Sequence, residues 1–280
     1  MTQVRMICID LDGTLLNDDH HTVSAENLDA IVQAAGAGVL IVPATGRIYG
    51  RIPEEVHRAA GIRYAIVANG AEVIAVPGGQ RLHTAYLPVQ DVLPVVDWAQ
   101  KQGYMPEVYQ RDRMLIQTDD LERLAKTGME PEHLQYLRQH ETPVDDLQAY
   151  LRQKPGEICK INLPYFENEA ERAALRARLE STGRFSVASS MDRNLEIGSP
   201  VASKGSAIAA LCRQLGIDIE QVMAIGDGDN DREMLSAVGL PVAMGNAQQQ
   251  IKALAAYVTA TNEQAGVAKA ILAALKGELK

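Results

Sequence analysis

Short runs of consecutive apolar residues alternate along this chain with stretches in which apolar residues recur every three or four positions. The first run, Val4, Met6, Ile7, Cys8 and Ile9, has the composition of a strand buried on both faces. Ser24 then offers an N-cap to a helix with Leu28, Ile31, Val32 and Ala35 on one face, ended by Gly36 and Gly38. A strand at 39–42, a helix at 53–60 and a strand at 64–68 follow. The far end of the chain repeats the alternation. It carries an amphipathic helix at 203–215 with Ile208, Leu211, Cys212 and Leu215 on its apolar face, then a strand at 222–225. A helix with Met234, Leu235 and Val238, a strand at 240–243 and helices near 247–255 and 266–276 complete it. Such alternation predicts an α/β fold built on a doubly wound parallel sheet.

The middle reads differently. Residues 84–192 hold most of the prolines and aromatics, a charged stretch at 121–138, and strand-like pieces at 114–118, 157–163 and 184–188. This pattern predicts an α+β domain, residues 84–192, inserted into a core made of residues 1–83 and 193–280, with hinges near 83–87 and 191–199. Trp98 is expected to pack inside the insertion, and Pro77-Gly78-Gly79 to turn a hairpin on the core side.

Four polar segments interrupt the core pattern. Asp10-Leu11-Asp12-Gly13-Thr14 ends the first strand. Carboxylates at i and i+2 leave a strand on the same side, and strand ends of open α/β sheets are where ligands bind. One carboxylate can therefore serve as nucleophile or metal ligand while the other moves a proton; a pair of solvated turn acids is the alternative. Gly226-Asp227-Gly228-Asp229-Asn230-Asp231 follows the strand at 222–225 and suits a hard cation that takes oxygen ligands. It is not an EF-hand, because Arg232 stands at the turn position that needs Gly and Val238 at the last ligand position that needs Glu. Thr45-Gly46-Arg47 after the strand at 39–42 offers a hydroxyl and turn N–H groups to a phosphate. Lys204 opens a helix, where a cation opposes the helix dipole and so asks for an anionic partner. The pair His20-His21 reads as a solvated turn, and no P-loop, dinucleotide fingerprint or serine-hydrolase elbow is present.

Taken in this order, the four segments resemble the motifs of the haloacid dehalogenase-like superfamily of phosphotransferases, and more closely its Cof-type branch with a large α/β cap. Asn69-Gly70-Ala71 and Met244-Gly245-Asn246-Ala247 also match that branch. One stretch departs from it: where the branch reads Asn-Glu-Asp-Gly-Val-Ala, this chain has Asn262-Glu263-Gln264-Ala265-Gly266-Val267-Ala268. The resemblance implies a Rossmann-like core and a Mg2+-dependent phosphatase that acts on small phosphorylated metabolites, sugar phosphates foremost, through an aspartyl-phosphate. It implies Asp10 as nucleophile and Asp12 as general acid and base, with a pKa nearer neutrality than a free aspartate's. One Mg2+ per site would be held by Asp10, the backbone carbonyl of Asp12 and Asp227. Leu11, Thr45, Gly46, Lys204 and Asn230 would hold phosphoryl oxygens, Arg47 and Asn69 would reach the substrate, and Asp231 would orient Lys204 or a metal-bound water. The inserted domain would act as a lid that chooses the leaving group. A phosphomutase and a non-catalytic metal-binding protein of the same fold are the competing readings.

Composition narrows the partners. A net charge of −9 argues against a nucleic-acid or anionic-membrane surface, and leaves the attraction of a phosphate to local groups. Three cysteines, odd in number and without metal spacing, suit a reducing cytoplasm. No apolar run approaches a membrane span and the first residues lead straight into a strand, so neither a span nor a signal peptide is expected. The partner expected is a small metabolite, for a monomer or small homo-oligomer.

Overall fold

The computed structural model describes residues 4–59, 61–129, 131–190 and 193–279. The chain forms two compact units, Met1–Thr84 with Ser203–Lys280, and Ala85–Ala202.

The first unit is built on a five-stranded parallel sheet. Its order is Tyr257–Val258, Leu240–Ala243, Val222–Gly226, Met6–Ile9, Leu40–Pro43. All four side chains of Met6–Ile9 are buried, as expected of a central strand covered on both faces. The chain leaves this strand to one neighbour, Leu40–Pro43, and returns much later on its other side as Val222–Gly226. The order therefore reverses at Met6–Ile9, and the crevice beyond its carboxyl end is where such sheets bind ligands. The helices Ala25–Gly36 and Gly266–Leu275 pack on each other, as do Lys204–Leu215 and Arg232–Ala237. Ser24 caps the first of these, accepting a hydrogen bond from the Asn27 N–H. Pro77-Gly78-Gly79 lies between the antiparallel strands Glu72–Ala75 and Gln80–Thr84, which with Tyr64–Val67 form a small three-stranded sheet.

Some elements are shorter than their patterns suggest. The helix expected at 53–60 spans Glu54–Arg58, and Ala60 lies outside the described residues. The helix expected at 247–255 shrinks to Gln249–Lys252. No helix among the described residues is long and apolar enough to cross a membrane.

The second unit carries a six-stranded sheet in the order Ser186–Ala188, Leu195–Gly198, Ile158–Leu163, Glu107–Gln110, Arg113–Gln117, Glu141–Val144. Its pairs are antiparallel except the last, which is parallel. Leu195–Gly198, inside the stretch read as a hinge, is thus a strand, and the unit continues to Ala202 rather than ending at 192. Met191 and Asp192, where that hinge was expected to begin, lie outside the described residues. One sheet face packs Val108, Leu115, Ile161 and Ile197 against residues such as Val92, Leu151 and Leu175 of the helices Val89–Lys101, Leu147–Gln153 and Glu169–Ser181. Trp98 joins this core and stacks on Tyr104.

Polar side chains occupy the other face. Glu107 and Asn162 are register partners, and Asn162 Nδ2 donates to Glu107 Oε2 at 2.8 Å. Lys160 Nζ donates to Glu196 Oε1 at 2.5 Å. Burial pushes the Glu107 carboxyl up to about 7, against the Asn162 hydrogen bond and the Lys160 charge. A carboxyl raised in the fold contributes stability that is complete below its unfolded pKa of 4.5 and lost as pH rises through about 7. Glu107→Gln, which cannot ionise, is expected to flatten the fall in unfolding free energy across that window. Urea titrations at several pH values measure this; a pH profile identical to wild type would mean that Glu107 is ionised in the fold throughout.

Candidate active site

Asp10 stands one residue past the central strand, its N–H donating to the Ile225 carbonyl of the neighbouring strand at 3.0 Å. The chain then turns sharply through Leu11–Leu15, where Leu15 N–H returns to the Asp10 carbonyl at 3.2 Å. Gly13 makes the turn possible on two counts. Its φ is +76°, and a Cβ there would lie 2.5 Å from Asp227 Oδ2. The absent side chain lets the two motifs approach, and Thr14 Oγ1 donates to Asp227 Oδ1 at 2.6 Å.

Lys204 lies at the centre of this cluster with no solvent exposure. Its Nζ donates to Asp10 Oδ1 at 2.5 Å and to Asp231 Oδ1 at 2.6 Å. The anionic partner that a helix-opening lysine asks for is therefore a pair of carboxylates. The helix start is fixed by a reciprocal cap, Ser203 and Ser206 exchanging hydrogen bonds of 3.0 Å. Asp231 Oδ2 accepts from the N–H groups of Asp227 and Gly228, both at 2.9 Å, so both its oxygens are engaged.

Asp10, Asp227 and Asp231 each bring a carboxylate oxygen within 4.8 Å of the others. Burial and the neighbouring Asp231 charge raise Asp10 well above the carboxylate range, Lys204 opposing, and the same two causes raise Asp227 to about 7. Three clustered acids, two of them buried, against one lysine leave an excess of negative charge that a divalent cation would neutralise, and the donors are all oxygen, which suits Mg2+. Since Asp231 already spends both oxygens, Asp10 and Asp227 are the pair able to turn one toward a metal.

Asp12 belongs to a second cluster. Arg47 grips its carboxylate with two bonds, Nε to Oδ2 at 2.8 Å and Nη2 to Oδ1 at 2.6 Å. His20 Nδ1 lies 3.0 Å from Oδ1. Burial favours the neutral acid, but the hydrogen bonds from His20 and Arg47 and the Arg47 charge overcome it and hold Asp12 below the ordinary carboxylate range. This corrects the expectation of a pKa near neutrality. His20 and His21 lie exposed in a turn, as expected, but His20 also reaches Asp12 from there. Arg47, expected to reach substrate, spends its guanidinium on Asp12, the His20 carbonyl and the Arg51 carbonyl.

Thr45 with Gly46, Asn69 and Asn230 lie on three turns joined by hydrogen bonds. Thr45 is fully buried, and its Oγ1 accepts from the Arg47 N–H at 3.0 Å. Gly46 lies between them. The Asn69 N–H donates to the Thr45 carbonyl at 3.0 Å, and Asn230 Nδ2 donates to Asn69 Oδ1 at 3.2 Å. Gly70, at φ +90°, backs directly onto the Ser203 carbonyl, which brings the Asn69 turn against the start of the Lys204 helix. Leu11 is wholly buried by its side chain and can offer substrate only its main chain.

The atypical late loop is tied to the first motif. Asn262 Nδ2 donates to the Leu16 carbonyl at 3.2 Å and to Asp18 Oδ1 at 2.8 Å. Asn246 Nδ2 donates to the Gly13 carbonyl at 2.8 Å. Sequence reasoning missed Thr14, His20 and Asn262 as parts of the site. Thr14 sat inside the motif already quoted; nothing in the spacing of the other two marks them.

A family model of haloacid dehalogenase-like hydrolases matches residues 7–271, a span that holds every one of these groups. The chain belongs to the haloacid dehalogenase-like hydrolases. Among its relatives, "Phosphatase YwpJ" of Bacillus subtilis is 34% identical and aligns over 95% of this chain and 98% of its own length. Another from the same organism, "5-amino-6-(5-phospho-D-ribitylamino)uracil phosphatase YcsE", is 29% identical over 96% of this chain and 94% of its own. A solved haloacid dehalogenase-like hydrolase from B. subtilis superposes with a TM-score of 0.83 at 30% identity, covering 96% of this chain and 99% of that one. The doubly wound core with an inserted domain is thus the haloacid dehalogenase fold, and the protein is a phosphatase of that family.

Proposed function

We propose that this phosphatase hydrolyses phosphate monoesters of small metabolites, sugar phosphates foremost, through a phosphoryl group carried on Asp10. The observation that carries the reading is the separation of the two motif carboxylates. Asp10 sits buried on Lys204 beside Asp227, while Asp12 is held apart by Arg47 and His20. Two carboxylates in two electrostatic settings can take two roles.

In this reading Asp10 attacks phosphorus and the ester oxygen leaves. Lys204, Asn230, Thr45 and the Gly46 N–H hold the phosphoryl oxygens as charge spreads over them. Asp12 is ionised at rest. The negative charge of an arriving phosphate raises its pKa, so it can carry a proton to the leaving alcohol. It then takes the proton of the water that opens the acyl-phosphate. Asp10, Asp227 and the Asp12 carbonyl are the groups that would hold Mg2+. Bound there, the cation would keep both carboxylates ionised and reduce the repulsion between Asp10 and the phosphate. Asp231 keeps Lys204 in place. We assign the choice of leaving group to the 85–202 unit. A sugar-like group is supported by the relative whose name specifies a phosphorylated ribityl compound.

Phosphate release from a panel of sugar phosphates and phosphorylated cofactor precursors tests the reading. Activity is expected to vanish with chelator and return on adding Mg2+. Release that persists in chelator would remove the metal from the account. Isomerised sugar phosphate in place of free phosphate would make the enzyme a mutase.

A further inference from the structure

Three hydrogen bonds reach the Asp12 carboxylate from two residues, and they divide unevenly between its oxygens. Oδ1 takes Arg47 Nη2 at 2.6 Å and His20 Nδ1 at 3.0 Å; Oδ2 takes Arg47 Nε alone at 2.8 Å. Against an ionised carboxylate the His20 ring nitrogen must be the donor. Oδ2 keeps the greater capacity to accept a proton.

The approach of His20 is set by the backbone and not by chance contact of an exposed ring. Residues 17–22 form a tight turn closed by Asn17 N–H to the Thr22 carbonyl and His20 N–H to the Asn17 carbonyl, both at 2.9 Å. Asp19 pins its far side, accepting from the N–H groups of His21 and Thr22 at 2.8 Å and from Thr22 Oγ1 at 2.6 Å. His20 itself adopts φ +59°, a left-handed conformation uncommon outside glycine though one that histidine enters more readily than most residues. Its carbonyl accepts from Arg47 Nη2 at 2.9 Å, so one guanidinium fixes both the His20 backbone and the carboxylate that the ring touches. The late loop secures the base of the turn: Glu263 Oε1 accepts from the Asp18 N–H at 2.7 Å, and Asn262 binds Asp18 Oδ1.

We infer that His20 is a positioning residue for the proton transfer: its Nδ1–H locks Asp12 Oδ1 and leaves Oδ2 as the oxygen that gives and takes the proton. The turn at 17–22 and the Asn262-Glu263 end of the late loop are the frame that holds it there. The inference rests on the reading of Asp12 as general acid and base.

The test compares two variants on two esters of similar shape, phenyl phosphate and p-nitrophenyl phosphate. The nitrophenolate departs without needing a proton; phenolate needs it more. His20→Gly removes the donor and suits the left-handed backbone, so strain does not enter. His20→Asn keeps an N–H donor and also tolerates that backbone. In single-turnover phosphorylation, His20→Gly is expected to slow phenyl phosphate about tenfold more than p-nitrophenyl phosphate, with KM little changed. His20→Asn is expected to recover most of the loss. Equal slowing of both esters, no slowing, or failure of His20→Asn to recover the loss overturns the inference. Asp12→Asn run beside them separates the two levels. If it too lacks leaving-group dependence, the acid role of Asp12 falls; if it shows the dependence and His20→Gly does not, only the role of His20 falls.

Discussion

Asp10→Asn is expected to reduce turnover by roughly four orders of magnitude or more and to abolish the covalent phosphoenzyme, because an uncharged amide is a far weaker nucleophile. The size of the loss follows from the chemistry that remains. Without a nucleophile the site can bind and polarise a phosphate, but a water molecule would have to attack without the two-step route. Stability should move the other way. Asp10 is buried among like charges that raise its pKa, and the asparagine removes one of the acids competing for Lys204. The variant is therefore expected to unfold at the same urea concentration as wild type or slightly above it. A variant that keeps turnover within tenfold would remove Asp10 from the nucleophile's place, whatever its stability.

Lys204→Met should cost both activity and fold. The ammonium group is fully buried and bridges Asp10 to Asp231, so its loss leaves two buried carboxylates facing each other. Breaking a buried pair from one side typically costs about 3–5 kcal/mol. The loss of a charged donor to the phosphoryl group is expected to lower kcat by about a hundredfold to a thousandfold. Adding Asp231→Asn separates the two effects. With Asp231 neutralised, most of the stability should return, since the largest of the repulsions on Asp10 is removed. Activity should not, because the phosphate still lacks its cation. Urea midpoints and kcat for the single and double variants measure this. Recovery of both together would mean that Lys204 serves folding alone.

Much of the fold was legible because the central strands are uniformly apolar. Met6–Ile9 and Val222–Gly226 are buried at every position and are followed by the polar turns that carry the chemistry. The inserted unit was harder to read for a physical reason. Glu107, Lys160, Asn162 and Glu196 are buried polar residues on strands, so a sheet face that reads as solvated in the sequence is closed in the fold. Glu107–Gln110 and Leu195–Gly198 were missed because each is only four residues long, too short for its alternation to stand out, the second being taken for part of a hinge. In the site, the need of Lys204 for an anionic partner followed from the cost of a cation at a helix N-terminus; that Asp10 is one of its partners did not. The setting of Asp12 did not follow. Arg47 lies 35 residues from it and His20 eight, separations that no strand or helix periodicity connects. The pKa expected for Asp12 came from the task assigned to it. The value the fold imposes comes from an arginine and a histidine that the chain brings up from two separate turns.

The central claim is a phosphoryl group carried on Asp10 and then passed to water, and acid-quenched single turnover in isotopically labelled water tests it most directly. Peptide mapping of the quenched enzyme is expected to place the phosphoryl group on Asp10, and the inorganic phosphate released afterwards should carry one oxygen from the solvent. Labelled phosphate formed with no phosphoenzyme, or a phosphoryl group mapped to any other residue, would contradict the account.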